Sequence, residues 1–317
     1  MRTLLAALSR RGPSVLAGGI ALGLAVPPLA YAARPLMPVT VFLFVLGTLL
    51  RVDPASVVKV ARRPAVLLAL PVAAMIVIPL LVGYASVALA LPPTWSFALV
   101  LAFSAPPSSG TSAIARMLGF DAPVALVATL AAMVLAPLTA PLLAQWFSHG
   151  LPVTISASSL AIRLAALIAS AEGVAIVVRK LAGKRLDNYT GSIDAAVLVA
   201  LLVFALGTMA GMQQLLLDDP RSVLLAMALA FAANVGVQCL TFLACPGTVR
   251  TRFNVALLLG NRNVGLLWAA LGVATTPTMA LFFSCAQLPI YTLPRVIQFL
   301  LPHVESLGRQ WRARGPL

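Results

Sequence analysis

Apolar residues along this chain come in long runs of about 20, separated by short clusters of arginine, proline, glycine and other polar residues. A hydrocarbon core some 30 Å thick, crossed at about 1.5 Å per residue, calls for helices of that length. Ten such runs are legible: 14–33, 35–50, 64–90, 95–118, 122–147, 157–180, 193–213, 222–244, 251–273 and 276–301. The second is short, and the fourth and ninth are interrupted. The fourth reads WSFALVLAFSAPPSSGTSAIARML, and its piece Phe103 to Ala113 holds two adjacent prolines, hydroxyl residues and a glycine. Such a piece breaks a helix and strands backbone groups. In hydrocarbon each stranded group costs several kcal/mol unless protein or a water-filled cavity satisfies it.

Composition fits this pattern: 61% of residues are hydrophobic, 9% are charged, and the mean hydropathy is +1.02. A soluble domain carries about 25% charged residues, so the chain cannot cover a water-facing surface. It is expected to be an all-α polytopic membrane protein of ten transmembrane helices, with the lipid bilayer as its first partner. The net charge of +14 invites a nucleic-acid reading. The basic residues instead punctuate the ends of apolar runs, so no nucleic-acid partner is expected. With the N-terminus in the cytoplasm, 18 of the 22 basic residues fall on the cytoplasmic side, the side that positive charge marks in membrane proteins. Arg34 and Arg221 fall outside, and Arg163 and Arg262 lie within spans. Both termini are thus expected in the cytoplasm, in a bacterial-type inner (plasma) membrane. A competing reading takes the basic start and apolar core of the first 33 residues as a cleaved signal peptide.

Two halves echo each other at a spacing near 153 residues. Gly119 and Pro123 correspond to Gly272 and Pro277, PLTAP at 137–141 to PIYTLP at 289–294, and the break at Ser108 to Thr111 to GNRNVG at 260–265. Five spans per copy is odd, so the second copy, 151–302, must cross the membrane upside down relative to the first, 1–150. A basic tail, 303–317, follows. Broken helices at matching positions of inverted repeats mark the binding sites of secondary transporters. Proline kinks alone are the competing explanation, and one break would have favoured them.

The ten-span plan, LFVLGTLLRVDP, ARRPAVLLALP, GTSAIARMLGFDAPVAL and GNRNVGLLWAALG together resemble the bile acid:sodium symporter family. The resemblance implies a panel domain from helices 1, 2, 6 and 7. It also implies a core domain from helices 3–5 and 8–10, whose broken helices 4 and 9 cross beside the substrate. Family substrates are typically organic anions taken up with sodium. Here the resemblance is uneven. Family positions that hold sodium are Ala113, Ile114, Val127, Ala131 and Leu258, none of which offers a side-chain oxygen, and a family glutamine is Arg262. Sodium binding is therefore not expected, and neither is any other cofactor or metal.

The candidate substrate region is the crossing: Ser108, Ser109, Gly110, Thr111, Ser112, Gly260, Asn261, Arg262 and Asn263. Arginine at mid-membrane costs about 2.5–3.5 kcal/mol on insertion scales and usually faces a cavity or a partner. Arg262 can take over the positive charge of the absent sodium, or grip an anion by a forked hydrogen-bond pair; the plainer alternative pairs it with a buried acid such as Glu172. Glu172 is itself a candidate coupling group, against an ordinary salt bridge. Asn234 and Gln238 read as interhelical glue, Asp194 as an interfacial acid, Gln287 as a weaker site candidate, and Cys239, Cys245 and Cys285 as core residues. No GxGxxG, Walker loop, HExxH or nucleophile–base pair is present, so neither an enzyme nor an ATP-driven pump is expected. The expected function is alternating-access transport of a small organic, anionic solute. An uncoupled facilitator or channel and a non-transporting receptor are the alternatives. Oligomeric state is not legible.

Overall fold

The computed structural model describes residues 12–151, 153 and 155–313. The arginines at positions 2, 10, 11 and 314, and most of the suspected signal segment's basic start, lie outside the described residues. The rest is helical: α1 Gly12–Ala25, α2 Pro27–Leu50, α3 Pro54–Ala61, α4 Ala65–Ala88, α5 Pro93–Ser104, α6 Thr111–Met117 and α7 Ala122–Phe147. The second half supplies α8 Ala157–Ala182, α9 Thr190–Thr208, α10 Met212–Asp218, α11 Pro220–Ala244, α12 Val249–Gly260, α13 Val264–Leu271 and α14 Pro277–Ala313. Among the described residues seven helical stretches are long and apolar enough to cross a membrane: α2, α4, α7, α8, α9 continuing into α10, α11, and α14 as far as Ser306. The protein is thus an all-α protein built for a bilayer.

Two predicted boundaries move. The first run, expected as one helix over 14–33, is cut at Val26, whose φ of −127° and ψ of 77° leave the helical region. Pro27 explains the cut: its ring crowds the preceding residue out of the α region, while proline itself suits the first turn of a helix. Gly23 packs on Met209, whereas Met37 packs on Gly207 and Gly47 on Val197. α1 therefore runs parallel to α9 and α2 antiparallel to it, making α1 and α2 a pair folded about the turn. At the other end, α14 continues past 301 to Ala313 despite Pro289, Pro294 and Pro302. Most of the expected tail is therefore helix. It is pinned at Glu305, which accepts from Arg250 Nε at 2.7 Å.

α9 packs on α1 and α2, and α2 packs also on α8. α7 packs on α8, α5 and α6, and α11 packs on α12 and α14. Helix α12 is tied to the α6–α7 loop: Arg250 Nη1 donates to the Gly119 carbonyl at 3.3 Å and Asn254 Nδ2 to the Asp121 carbonyl at 2.9 Å. Gly119 and Gly272 both hold positive φ (72° and 54°) where a short helix ends, a conformation that only glycine adopts without strain.

Candidate functional site

Helix α5 stops at Ser104 because Pro106 and Pro107 follow, and α6 does not start until Thr111. In the second half α12 stops at Gly260 and α13 starts at Val264, capped by Asn263, whose Oδ1 accepts from the Leu266 N–H at 3.2 Å. These two interruptions meet. Ser108 N–H donates to the Asn261 carbonyl at 2.9 Å, and Asn263 N–H donates to the Pro106 carbonyl at 2.7 Å, so Pro107 and Arg262 sit opposite each other as an antiparallel bridge. Backbone groups stranded by one break are satisfied by the other. Asn263 Nδ2 adds a side-chain bond to Ser109 Oγ at 3.1 Å. From behind, Asn234 Nδ2 donates to the Gly260 carbonyl at 3.0 Å and is itself held by Gln238. A side chain on Gly260 would collide with Gln238. Asn234 and Gln238 are thus the support of the second break, a glue role directed at one carbonyl.

Arg262 is 3% exposed and reaches from the second break to two carbonyls. Its Nη1 donates to Ala74 at 2.8 Å and more weakly to Ala105 at 3.4 Å. The Ala74 carbonyl is free for a local reason. Residues 73–77 form a wider, π-helical turn in which Ile78 N–H bonds Ala73 instead, and the next residue, Pro79, has no N–H to offer. The guanidinium also lies over the Phe103 ring, 5.5 Å from its centroid, a favourable cation–π placement. Its Nε and Nη2 have no protein partner. The alternative pairing with Glu172 is not what the structure holds: Arg262 bonds carbonyls, and Glu172 is half-buried on α8, away from the cavity lining.

Between α2 and α9 on one side and the two breaks with α6 and α14 on the other lies a cavity of about 360 Å³. Its inner end is made by Ser108, Ser109, Arg262 and Asn263, and its walls by Phe44, Val197, Leu201, Phe204 and Ile290, with Gln287 also on the surface. Arg51, Arg116 and Asp194 stand at its mouth. There Arg51 Nε pairs with Asp194 Oδ1 at 3.0 Å, which gives Asp194 a cross-helix role beyond that of an interfacial acid. Arg116 is exposed and has no acidic partner among the described residues. Ser284 Oγ donates to the Thr208 carbonyl at 2.7 Å, Arg163 Nη1 to the Leu271 carbonyl at 3.4 Å, and Gly265 admits the Phe204 ring.

Of the nine predicted crossing residues, Ser108, Ser109, Gly110, Ser112, Arg262 and Asn263 line the cavity. Thr111, Gly260 and Asn261 are buried behind it, and the side chains of Thr111 and Asn261 have unpartnered polar atoms. The positions that would bear sodium ligands hold an apolar plug. Leu258, Val127 and Ile114 belong to one hydrophobic cluster with Ala115, Ala125, Ala128 and Leu257, and Ala113 forms part of the cavity wall. Among the described residues no group of three or more His, Cys, Asp or Glu side chains is placed to hold a metal. Sequence reasoning missed the Ala74 carbonyl, Phe103, and the α2 and α9 wall, because each belongs to an apolar run whose facing surface no local motif reveals. Neither a protein-family model nor a curated protein matches the chain.

Proposed function

We propose that the protein is a secondary transporter of a small organic anion, of the bile acid:sodium symporter type but without sodium coupling. In this reading the chain has ten spans as two inverted five-helix repeats. α1, α2, α8 and α9 form the panel, and the remaining spans form the core. The mouth at Arg51, Arg116 and Asp194 faces the cytoplasm, as the distribution of positive charge favours, so the conformation is open inward and shut outward. The solute sits between apolar walls with its negative end toward Arg262, whose fixed charge stands where relatives would use a mobile cation.

One observation carries this reading: the two broken segments hydrogen-bond to each other and place a buried arginine, Arg262, among the residues that line a cavity. A thermal-shift screen of organic carboxylates against purified protein, repeated in sodium and in choline buffers, tests it. Stabilisation by carboxylates in both buffers is expected, and its loss in Arg262→Gln. Strict sodium dependence would refute the fixed-charge reading, and stabilisation of wild type and variant alike would remove Arg262 from the site.

A further inference from the structure

We propose that the solute is an α,ω-dicarboxylate with an apolar middle, one carboxylate held at the inner end of the cavity and the other at its mouth. The inference rests on the organic-anion reading above and names the class of anion. Polar groups are concentrated at the two ends of the cavity. At the inner end Ser109 Oγ accepts from Asn263 Nδ2 at 3.1 Å, and Ser108 Oγ accepts from the Gly110 N–H at 3.3 Å. Each hydroxyl therefore keeps its own hydrogen to donate, and both residues line the cavity. Arg262 belongs to the same end, with no acid paired to it among the described residues. Its charge favours an anion there through the field alone, with no contact required. Between the ends the walls are apolar, formed by Phe44, Val197, Leu201 and Ile290.

The mouth has the charge for a second carboxylate. Arg51 follows α2 on one wall, and Arg116 stands near the end of α6 on the other. Arg51 uses Nε on Asp194 Oδ1 at 3.0 Å, which orients the guanidinium while its terminal nitrogens bond no described residue. Arg116 is exposed and has no ion-pair partner among the described residues. Two arginines against one aspartate leave the mouth with a surplus positive charge. An anion between the facing walls can accept from both guanidinium groups, and such charge-assisted bonds are the stronger kind. From Thr111 to Arg116 helix α6 rises about 7.5 Å, at about 1.5 Å per residue. A compact monoanion therefore meets one end and leaves the other to water. An extended chain with a carboxylate at each end and hydrocarbon between them matches both ends and the wall.

Suberate and its monomethyl ester share a body and differ by one charge, so the pair tests the proposal on purified protein. Apparent Kd values come from the rise of the unfolding midpoint with ligand concentration. Wild type is expected to bind suberate about fivefold more tightly than the monoester, the size of a charge-assisted contact that water partly screens. Arg116→Gln should bind both probes with the affinity of the monoester, and Arg116→Lys should keep most of the preference. Because Arg116 is exposed, both variants should melt like wild type without ligand. Equal binding of the two probes by wild type overturns the second anchor and leaves the organic-anion reading standing. A suberate preference that survives in Arg116→Gln overturns the assignment of that anchor to the mouth arginine. Stabilisation by neither probe overturns the proposal together with the organic-anion reading.

Discussion

The side-chain contact that joins the two breaks is Asn263 with Ser109, and removing it should be measurable. Asn263→Ala loses two things. One is the helix cap on Leu266 N–H, worth about 1 kcal/mol. The other is the buried bond to Ser109 Oγ, where a net loss of about 1 kcal/mol is joined by some penalty for the stranded hydroxyl. Together these give about 2–4 kcal/mol. For a protein of this size each kcal/mol moves the midpoint by roughly 2–4 °C, so a drop of about 4–16 °C follows. Ser109→Ala alone keeps the cap and should cost about 1 kcal/mol. Because the two share one bond, the double variant should fall short of the sum by about 0.5–1.5 kcal/mol. Tryptophan fluorescence during heating in detergent reads all four proteins. Asn263→Asp separates the terms, since its carboxylate keeps the cap but cannot donate to Ser109. Strict additivity in the cycle, or an Asn263→Ala midpoint equal to wild type, would refute the claim that side chains as well as backbone tie the crossing.

Four further outcomes follow from the same geometry. Leu258→Glu places a carboxylate in the apolar plug beside Val127 and Ile114 and should destabilise by on the order of 3 kcal/mol or more, read as a lower midpoint. Asn234→Leu leaves the Gly260 carbonyl without its donor and should cost about 1–3 kcal/mol, seen in the same heating experiment. Gly265→Val drives a side chain into the Phe204 ring and should cost about 1–3 kcal/mol of overpacking, with wider separation of α9 and α13 detectable by cross-linking yield. Replacing sodium by choline should leave the midpoint of the unliganded protein unchanged; a sodium-induced rise would reveal a cation site that the apolar plug argues against.

What the chain made legible were the breaks and their chemistry. Pro106, Pro107 and Gly260 announced where helices had to stop, and their 153-residue spacing indicated that the two interruptions belong together. Arg262 stood out because a cation at that depth needs an acceptor. Its acceptor was hidden. Ala74 looks like any other alanine in an apolar run, and only the combination of a π-helical turn with Pro79 frees its carbonyl. The Arg51–Asp194 pair escaped for a different reason: 143 positions separate two residues that only the packing of α2 against α9 brings to 3.0 Å. The split at Val26 was readable in principle, since the residue before a proline avoids the helix. Continuous apolarity across the Pro27–Pro28 step masked it.

Arg250 gives the assembly one more property. A single guanidinium holds Glu305 on the last helix and the carbonyl of Gly119 in the opposite half, and so rivets the start of α12, the α6–α7 loop and the end of α14 at one corner. A displacement begun at any of these three is transmitted to the other two. Helices that the chain presents far apart behave at that corner as a single lever arm, whose stiffness is set by two hydrogen bonds.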